Sequence, residues 1–201
     1  GVSPVRLGPE HATRILDLVA SAPPGPFGAR TIELGEYYGV FDGDRNRVRA
    51  QPTNLGVMIA RSMMQRSGAD LAIMNAGGVR DSLPEGKVTY RDVLKVQPFG
   101  NQLSLVRLSG AELLKYLEAV AKMTPGSGAF PQTVGVQMVI EGGVLKEARV
   151  QGKPIEAQRE YRLALNNFTA GGGDGYPKLS DHPGHVNTGL VDADVMRAFI
   201  A

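Results

Sequence analysis

The chain has 201 residues, with 22 Lys and Arg against 20 Asp and Glu, 42% hydrophobic residues and no cysteine. That length predicts one globular domain with a self-sufficient core, and the absence of cysteine excludes disulfide scaffolds and cysteine zinc fingers. A formal net charge of +2, without blocks of like charges, does not indicate a nucleic acid or an anionic membrane as partner. No stretch approaches the roughly 18 consecutive apolar residues of a membrane span.

The beginning of the chain suggests a piece of a longer protein, because it opens on Gly1 rather than methionine. Residues 10–20 carry apolar side chains at helical spacing, and a proline-rich stretch ends this pattern at residues 23–26. We therefore predict an interdomain helix and linker over residues 1–30, followed by one globular domain over residues 31–201.

Beyond the linker, helical and strand patterns mix without strict alternation. Apolar spacing predicts a helix over residues 54–65 that stops at Gly68. Two capping boxes, Thr89 with Asp92 and Ser109 with Glu112, each indicate the start of a helix. The acidic residue Asp192 indicates a third start. Strands are predicted over residues 31–41, 71–74, 103–108, 134–140, 144–150 and 161–165.

Polar residues and glycines gather at the ends of three predicted elements. In residues 75–80, paired glycines either form a structural turn or let the backbone approach a ligand, to which Arg80 can offer its planar guanidinium. In residues 97–101, Phe99 is either a loop plug or an exposed stacking surface. In residues 166–176, Asp174 lies between glycines, where it either accepts sugar hydroxyls or caps local backbone amides.

These three clusters, together with residues 44–56, 127–131 and 183–192, resemble the C-terminal domain of the 5'-nucleotidase family. The likeness runs over nearly the whole chain and is strongest to the bacterial periplasmic UDP-sugar hydrolases and 5'-nucleotidases. It implies an α+β fold, a layered α/β/β/α sandwich with helices around two sheets, rather than a doubly wound parallel sheet.

The resemblance also implies a nucleoside-binding site. Phe99 and Phe168 match the two phenylalanines that sandwich the base, and such stacking is worth about 1–3 kcal/mol and tolerates every base. Asp174 matches the carboxylate that accepts the ribose hydroxyls. Arg45, Arg49 and Arg80 match arginines that hold phosphate or ribose oxygens. The remaining matches are two positions that touch the base edge, Asn101 and Gly128, and one in the first cluster, Asn75. Without the resemblance, each arginine would be interpreted as a solvated surface charge.

Hydrolysis in this family belongs to a separate N-terminal metallophosphatase domain that holds two divalent metal ions, and its ligand motifs are absent from this sequence. The chain has three histidines, His11, His182 and His185. Pro183 and Gly184 prevent the last two from sharing a helix face, so we interpret them as surface histidines. We expect no metal, no other cofactor and no catalytic residue in this chain.

The residues and the resemblance together predict the substrate-binding domain of an enzyme, a 5'-nucleotidase or UDP-sugar hydrolase that acts on nucleotide phosphate esters or pyrophosphates. The expected partners are a nucleoside, nucleotide or nucleotide-sugar substrate and the N-terminal metallophosphatase domain of the same polypeptide; this chain alone should be inactive. Two alternatives stay open, a stand-alone nucleoside-binding module and an interaction scaffold with a dead pocket. The resemblance also implies a periplasmic or secreted protein, and the preferred base stays open.

Overall fold

The structure of the chain, a computed structural model, describes residues 41–86 and 88–200. The helix and linker predicted over residues 1–30 lie outside the described residues, as does nearly all of the strand predicted over residues 31–41. Phe41, the last residue of that predicted strand, forms an isolated antiparallel bridge with Leu83.

The described residues form helices and strands in a mixed order. The helices are α1 (Arg45–Ala50), α2 (Asn54–Ser67), α3 (Tyr90–Val96), α4 (Gly110–Val120), α5 (Asn167–Ala170) and α6 (Asp192–Ile200), with 3-10 turns at Ala76–Gly78 and Gly173–Gly175. The strands are β1 (Leu71–Asn75), β2 (Gln102–Ser109), β3 (Pro131–Val134), β4 (Val136–Glu141), β5 (Val144–Val150), β6 (Lys153–Pro154), β7 (Glu160–Asn166) and β8 (His185–Val191). The sequence pattern did not predict α1, α5 or β8.

The predicted capping residues mark where the helices begin and end. The Asp92 carboxylate accepts a hydrogen bond from the Thr89 amide at 3.0 Å, and the Glu112 carboxylate accepts one from the Ser109 amide at 2.8 Å. Helix α2 ends at Gly68, whose φ of +64° is the left-handed conformation that glycine adopts at little cost. The predicted starts of α3 and α4 and the predicted end of α2 are therefore confirmed.

Five of the described strands form the main sheet in the order β3-β1-β7-β2-β8, and three form a second sheet in the order β4-β5-β6. Among these five, β1 and β7 are the one parallel pair, and the other neighbouring pairs are antiparallel. The predicted α+β class is confirmed, and the fold is not a doubly wound parallel sheet.

One predicted strand, residues 134–140, is two strands in different sheets. Gly135 separates β3 from β4 with a φ of +78°, and a Cβ at this position would collide with the backbone oxygen of Asp70. Glycine at residue 135 thus lets the chain turn out of the main sheet beside another backbone segment. The alternating apolar pattern continues across this glycine, which is why the pattern alone predicted a single strand.

The main sheet separates two apolar cores, which explains the uninterrupted apolar run of β1. Ala72 and Met74 face the core shared with α2, α3 and α6, whereas Leu71 and Ile73 face the core shared with α4 and the second sheet. A strand buried on both faces needs apolar residues at every position. Within the described residues, no helix is long and apolar enough to cross a membrane.

Candidate functional site

Segments from all five strands of the main sheet meet at one edge. Because β1 and β7 are parallel, both end at this edge, with Asn75 and Asn166 as their last residues. The antiparallel strands β2 and β3 begin there, and β8 ends there. Residues 75–80, 97–101, 127–130 and 166–176 therefore gather at the same end of the sheet, although they are far apart in sequence.

A chain of side-chain hydrogen bonds crosses this edge. Nδ2 of the fully buried Asn166 donates to Oδ1 of Asn75 at 2.9 Å, and Nδ2 of Asn75 donates to Oδ2 of Asp174 at 2.7 Å. Asp174 itself is exposed, and in the described part of the chain its other carboxylate oxygen accepts no hydrogen bond. The carboxylate is thus held by a side chain rather than capping local backbone amides, and one oxygen remains available to a ligand.

Two glycines let the backbone approach this carboxylate closely. A Cβ on Gly77 would lie 3.1 Å from Oδ2 of Asp174, and a Cβ on Gly128 would lie 3.3 Å from the same oxygen. The two backbones are joined by the Gly77 amide, which donates to the Gly128 carbonyl at 2.8 Å. Gly78 has a packing role instead, because a Cβ there would collide with the side chain of Met74.

Both predicted stacking residues present aromatic surface to solvent. Phe99 is 57% exposed, which excludes the loop-plug interpretation, and Phe168 is 45% exposed. The ring of Phe168 lies over Gly173, where a Cβ would stand 2.5 Å from the ring. Large exposed aromatic side chains are typical of binding sites, because their apolar surface leaves water when a partner binds.

Arg80 lies between two parts of the site. Its guanidinium carbon is 5.6 Å from the centroid of the Phe99 ring, within the range of a cation–π interaction. One of its terminal nitrogens lies 3.5 Å from the Gly77 carbonyl oxygen, at the limit of a hydrogen bond. Arg80 therefore connects the turn after β1 with the loop before β2.

The other two predicted arginines are on α1, which packs against the turn Ala76–Gly78. Arg45 is exposed, whereas Arg49 is partly buried and, among the described residues, its Nε has no hydrogen-bond partner. The helix begins at Asp44, whose carboxylate accepts the amides of Asn46 and Arg47, both at 3.0 Å. The structure thus brings these arginines to the neighbourhood of Gly77, and their roles toward phosphate stay predictions.

Asn101 accepts a hydrogen bond from the first residue of α6. Its carbonyl accepts the Asp192 amide at 2.8 Å. Burial raises the pKa of Asp192 to about 6, although the bond from the Ala193 amide opposes this shift. The predicted contact between Asn101 and a base edge stays a prediction.

Residues 28–181 of the chain match the family described as the 5'-nucleotidase C-terminal domain. The chain belongs to this family. It is 47% identical over 169 residues to protein UshA of Escherichia coli and 49% identical over 170 residues to the 5'-nucleotidase of Vibrio cholerae. These alignments cover 84% and 85% of the chain, but each covers only 31% of the relative. The chain therefore spans about a third of the length of the curated relatives it matches.

A solved structure has the same fold. The 5'-nucleotidase precursor of Thermus thermophilus superposes with a TM-score of 0.72 at 29% identity, over 95% of this chain and 38% of that one. The agreement over nearly the whole chain confirms the fold that the resemblance implied.

This 5'-nucleotidase C-terminal domain does not bring metal-binding side chains together in the part that the structure describes. Among residues 41–86 and 88–200, no three His, Asp or Glu side chains cluster in a way that could hold an ion. His182 lies 3.3 Å from the Glu112 carboxylate, and His185 lies 3.1 Å from the Ser104 hydroxyl. The described residues thus do not fit the two divalent ions that the family resemblance implies.

Sequence reasoning did not identify three residues that shape the site: Asn166, Gly77 and Gly173. Asn166 is fully buried at the end of β7, and a polar residue closing a run of buried strand positions is the signal that could have found it. The two glycines were visible only as members of glycine-rich clusters. Which of those glycines approach Asp174 or Phe168 depends on tertiary contacts.

Proposed function

We propose that this chain is the substrate-binding domain of a 5'-nucleotidase or UDP-sugar hydrolase, in which it holds the nucleoside part of the substrate. In this proposal, an N-terminal metallophosphatase domain of the same polypeptide carries two divalent ions and hydrolyses the phosphate ester or pyrophosphate. The whole protein acts in the periplasm or outside the cell. The names of the relatives, UshA and 5'-nucleotidase, support the proposed activity.

The observation that carries the proposal is that two exposed aromatic rings and a tethered carboxylate lie at the same end of the main sheet. Phe99 and Phe168 stand at the sheet edge that also holds Asp174, whose free oxygen can accept a sugar hydroxyl. Stacking supplies affinity for any base. A carboxylate accepts hydrogen bonds from the ribose hydroxyls and so orients the nucleoside. This combination supports recognition of nucleosides as a class rather than of one base.

Charge supports a nucleotide rather than a nucleoside alone as the natural ligand. Arg80 lies in the site, and α1, which carries Arg45 and Arg49, packs beside Gly77. A guanidinium offers planar paired donors that match phosphate oxygens. We therefore expect AMP and UMP to bind more tightly than adenosine and uridine.

The test is a calorimetric titration of the chain with adenosine and with uridine in the presence of a chelator. We expect saturable binding of both, weakened about tenfold or more by Phe168→Ala, because stacking on one aromatic is worth about 1–3 kcal/mol. Val144→Ala is a matched control, since Val144 is 54% exposed but lies on the second sheet. Absence of binding by the folded native chain would contradict the proposal.

A second measurement tests the assignment of hydrolysis to another domain. We expect the chain alone to release no phosphate from AMP in the presence of added divalent metal. Phosphate release that stays proportional to this chain through independent purifications would locate catalysis within it, against the proposal.

A further inference from the structure

Asn166 has a fixed side-chain orientation at the buried end of β7. Its Oδ1 accepts the Thr169 amide at 2.8 Å and the Thr169 hydroxyl at 3.0 Å. The first of these bonds also caps α5, the short helix that carries Phe168. Because the Thr169 backbone amide can only donate, Oδ1 must face it, and Nδ2 of Asn166 points away from Thr169 and toward Asn75.

The orientation of Asn166 determines the orientation of the next amide. Asn75 offers its Oδ1 to Nδ2 of Asn166, so its own Nδ2 faces Oδ2 of Asp174. In the flipped orientation, Oδ1 of Asn75 would face the carboxylate and Nδ2 would face another donor. Both contacts would be repulsive, and Asn75 is only 2% exposed, so water could not relieve them.

Asp174 depends on this tether because, among the described residues, no other hydrogen bond fixes its carboxylate. Its φ of +56° is left-handed, which is uncommon for a residue other than glycine, and the adjacent Gly175 has a φ of +81°. An exposed carboxylate on this backbone would otherwise sample several directions. A fixed carboxylate binds more tightly, because less conformational freedom is lost when the ligand arrives.

We propose that Asn166 is a positioning residue for ribose recognition, acting through Asn75 to hold the Asp174 carboxylate with one oxygen free for the sugar hydroxyls. This inference rests on the proposed function, since it assigns a task within the same nucleoside site. Asn166 itself is fully buried and does not touch the ligand.

The test uses a substitution that separates this role from the structural role of Asn166. Asn166→Asp keeps an acceptor for the Thr169 amide, and hence the cap of α5, but an ionised carboxylate cannot donate to Asn75. Asn166→Ala removes both the cap and the relay, which is the chain of hydrogen bonds from Asn166 through Asn75 to Asp174. Ser62→Ala is the matched control, because Ser62 is also buried and donates to a backbone carbonyl, Ile59, within α2.

The readout is a comparison of adenosine with 2',3'-dideoxyadenosine, which lacks the hydroxyls that Asp174 would accept. At about pH 9, above the raised pKa that burial gives a carboxyl group, we expect Asn166→Asp to weaken the binding of adenosine about tenfold and that of dideoxyadenosine less than about twofold. In an Asp174→Ala background, the substitution should have no further effect on adenosine. Equal weakening of both ligands, or an undiminished effect without Asp174, would overturn the inference.

A ligand-free measurement distinguishes this inference from the proposed function. The side-chain amide resonances of Asn75 should shift in Asn166→Asp and in Asp174→Ala and stay in place in Ser62→Ala. Unchanged Asn75 resonances in Asn166→Asp would overturn the relay even if the native chain binds nucleosides. A native chain that shows the relay but binds neither nucleoside would contradict the proposed function and, with it, the ribose role.

Discussion

The guanidinium of Arg80 lies 5.6 Å from the centre of the Phe99 ring. The contact joins two segments that meet through the backbone as well, since the Arg80 amide donates to the Val96 carbonyl at 2.9 Å. Arg80 thus contacts the ring, which still leaves more than half of the Phe99 side chain exposed. An arginine that the family resemblance associates with phosphate or ribose oxygens thus also supports the aromatic residue.

This contact predicts that Arg80→Ala weakens a ligand that has no phosphate. We expect adenosine affinity to fall about two- to fivefold, because a cation–π contact at an exposed site is worth about 0.5–1 kcal/mol. In a Phe99→Ala background the effect on adenosine should disappear, which calorimetry can measure as a double-mutant cycle. Arg45→Ala is the control, and it should lower the affinity for AMP but not the affinity for adenosine. Additive effects of the Arg80 and Phe99 substitutions would refute the coupling.

Gly135 and Gly142 provide a matched pair for the turn that leaves the main sheet. Both have positive φ, +78° and +58°, but a Cβ on Gly142 meets nothing within 4 Å, whereas one on Gly135 collides with backbone. We expect Gly142→Ala to cost about 1 kcal/mol of unfolding free energy and Gly135→Ala at least about 3 kcal/mol. Chemical denaturation measures both values. Equal costs would show that backbone conformation alone, and not the close approach to Asp70, requires glycine at residue 135.

Gln132 ties α1 to the main sheet through a fully buried side chain. Its Nε2 donates to the Val48 and Gln51 carbonyls at 2.7 and 2.9 Å, and its Oε1 accepts the Thr53 amide at 2.8 Å. Gln132→Leu leaves three backbone groups without this partner, so we expect the free energy of unfolding to fall by about 2–5 kcal/mol in denaturation experiments.

The same substitution should also act on the site, because α1 carries Arg45 and Arg49. We expect Gln132→Leu to reduce the preference for AMP over adenosine. Gln137→Leu, at an exposed position of β4, should change stability by less than about 0.5 kcal/mol. A Gln132 variant with unchanged stability and unchanged preference for AMP would show that α1 does not depend on this side chain.

Asp192 predicts a pH dependence of stability. Burial raises its pKa to about 6 in the folded chain, so the native state holds the proton more tightly than the unfolded state does. The stabilising contribution is complete below about pH 4 and is lost as the pH rises through about 6. Asp192→Asn cannot ionise, so we expect it to be more stable than the native chain by about 1–3 kcal/mol at neutral pH.

The measurement is the difference in unfolding free energy between Asp192→Asn and the native chain, followed as a function of pH. Denaturation between acidic and neutral pH should show the advantage of Asp192→Asn shrinking to near zero below about pH 4. Asp194→Asn, a partly exposed position in the same helix, should change stability by less than about 1 kcal/mol. An advantage of Asp192→Asn that does not vary with pH would mean that ionisation of Asp192 is not its cause.

Local sequence signals predicted most of the regular structure. Capping residues located the starts of α3 and α4, and Gly68 located the end of α2, because these signals act over three or four residues. The strand prediction failed at Gly135, where periodicity continues but the chain changes sheets. Helix α1 and strand β8 were not predicted, because α1 has only six residues and β8 has no buried apolar face, so neither carries a strong apolar period.

Short motifs in the sequence identify the family of this chain and the aromatic and acidic residues expected in the site. The way these residues come together follows from the tertiary fold alone. Asn75 and Asp174 are 99 positions apart and meet because β1 and β7 are parallel neighbours that end at one edge. Hydrogen bonds between side chains at that separation follow from strand order and register, which no local spacing of residues specifies.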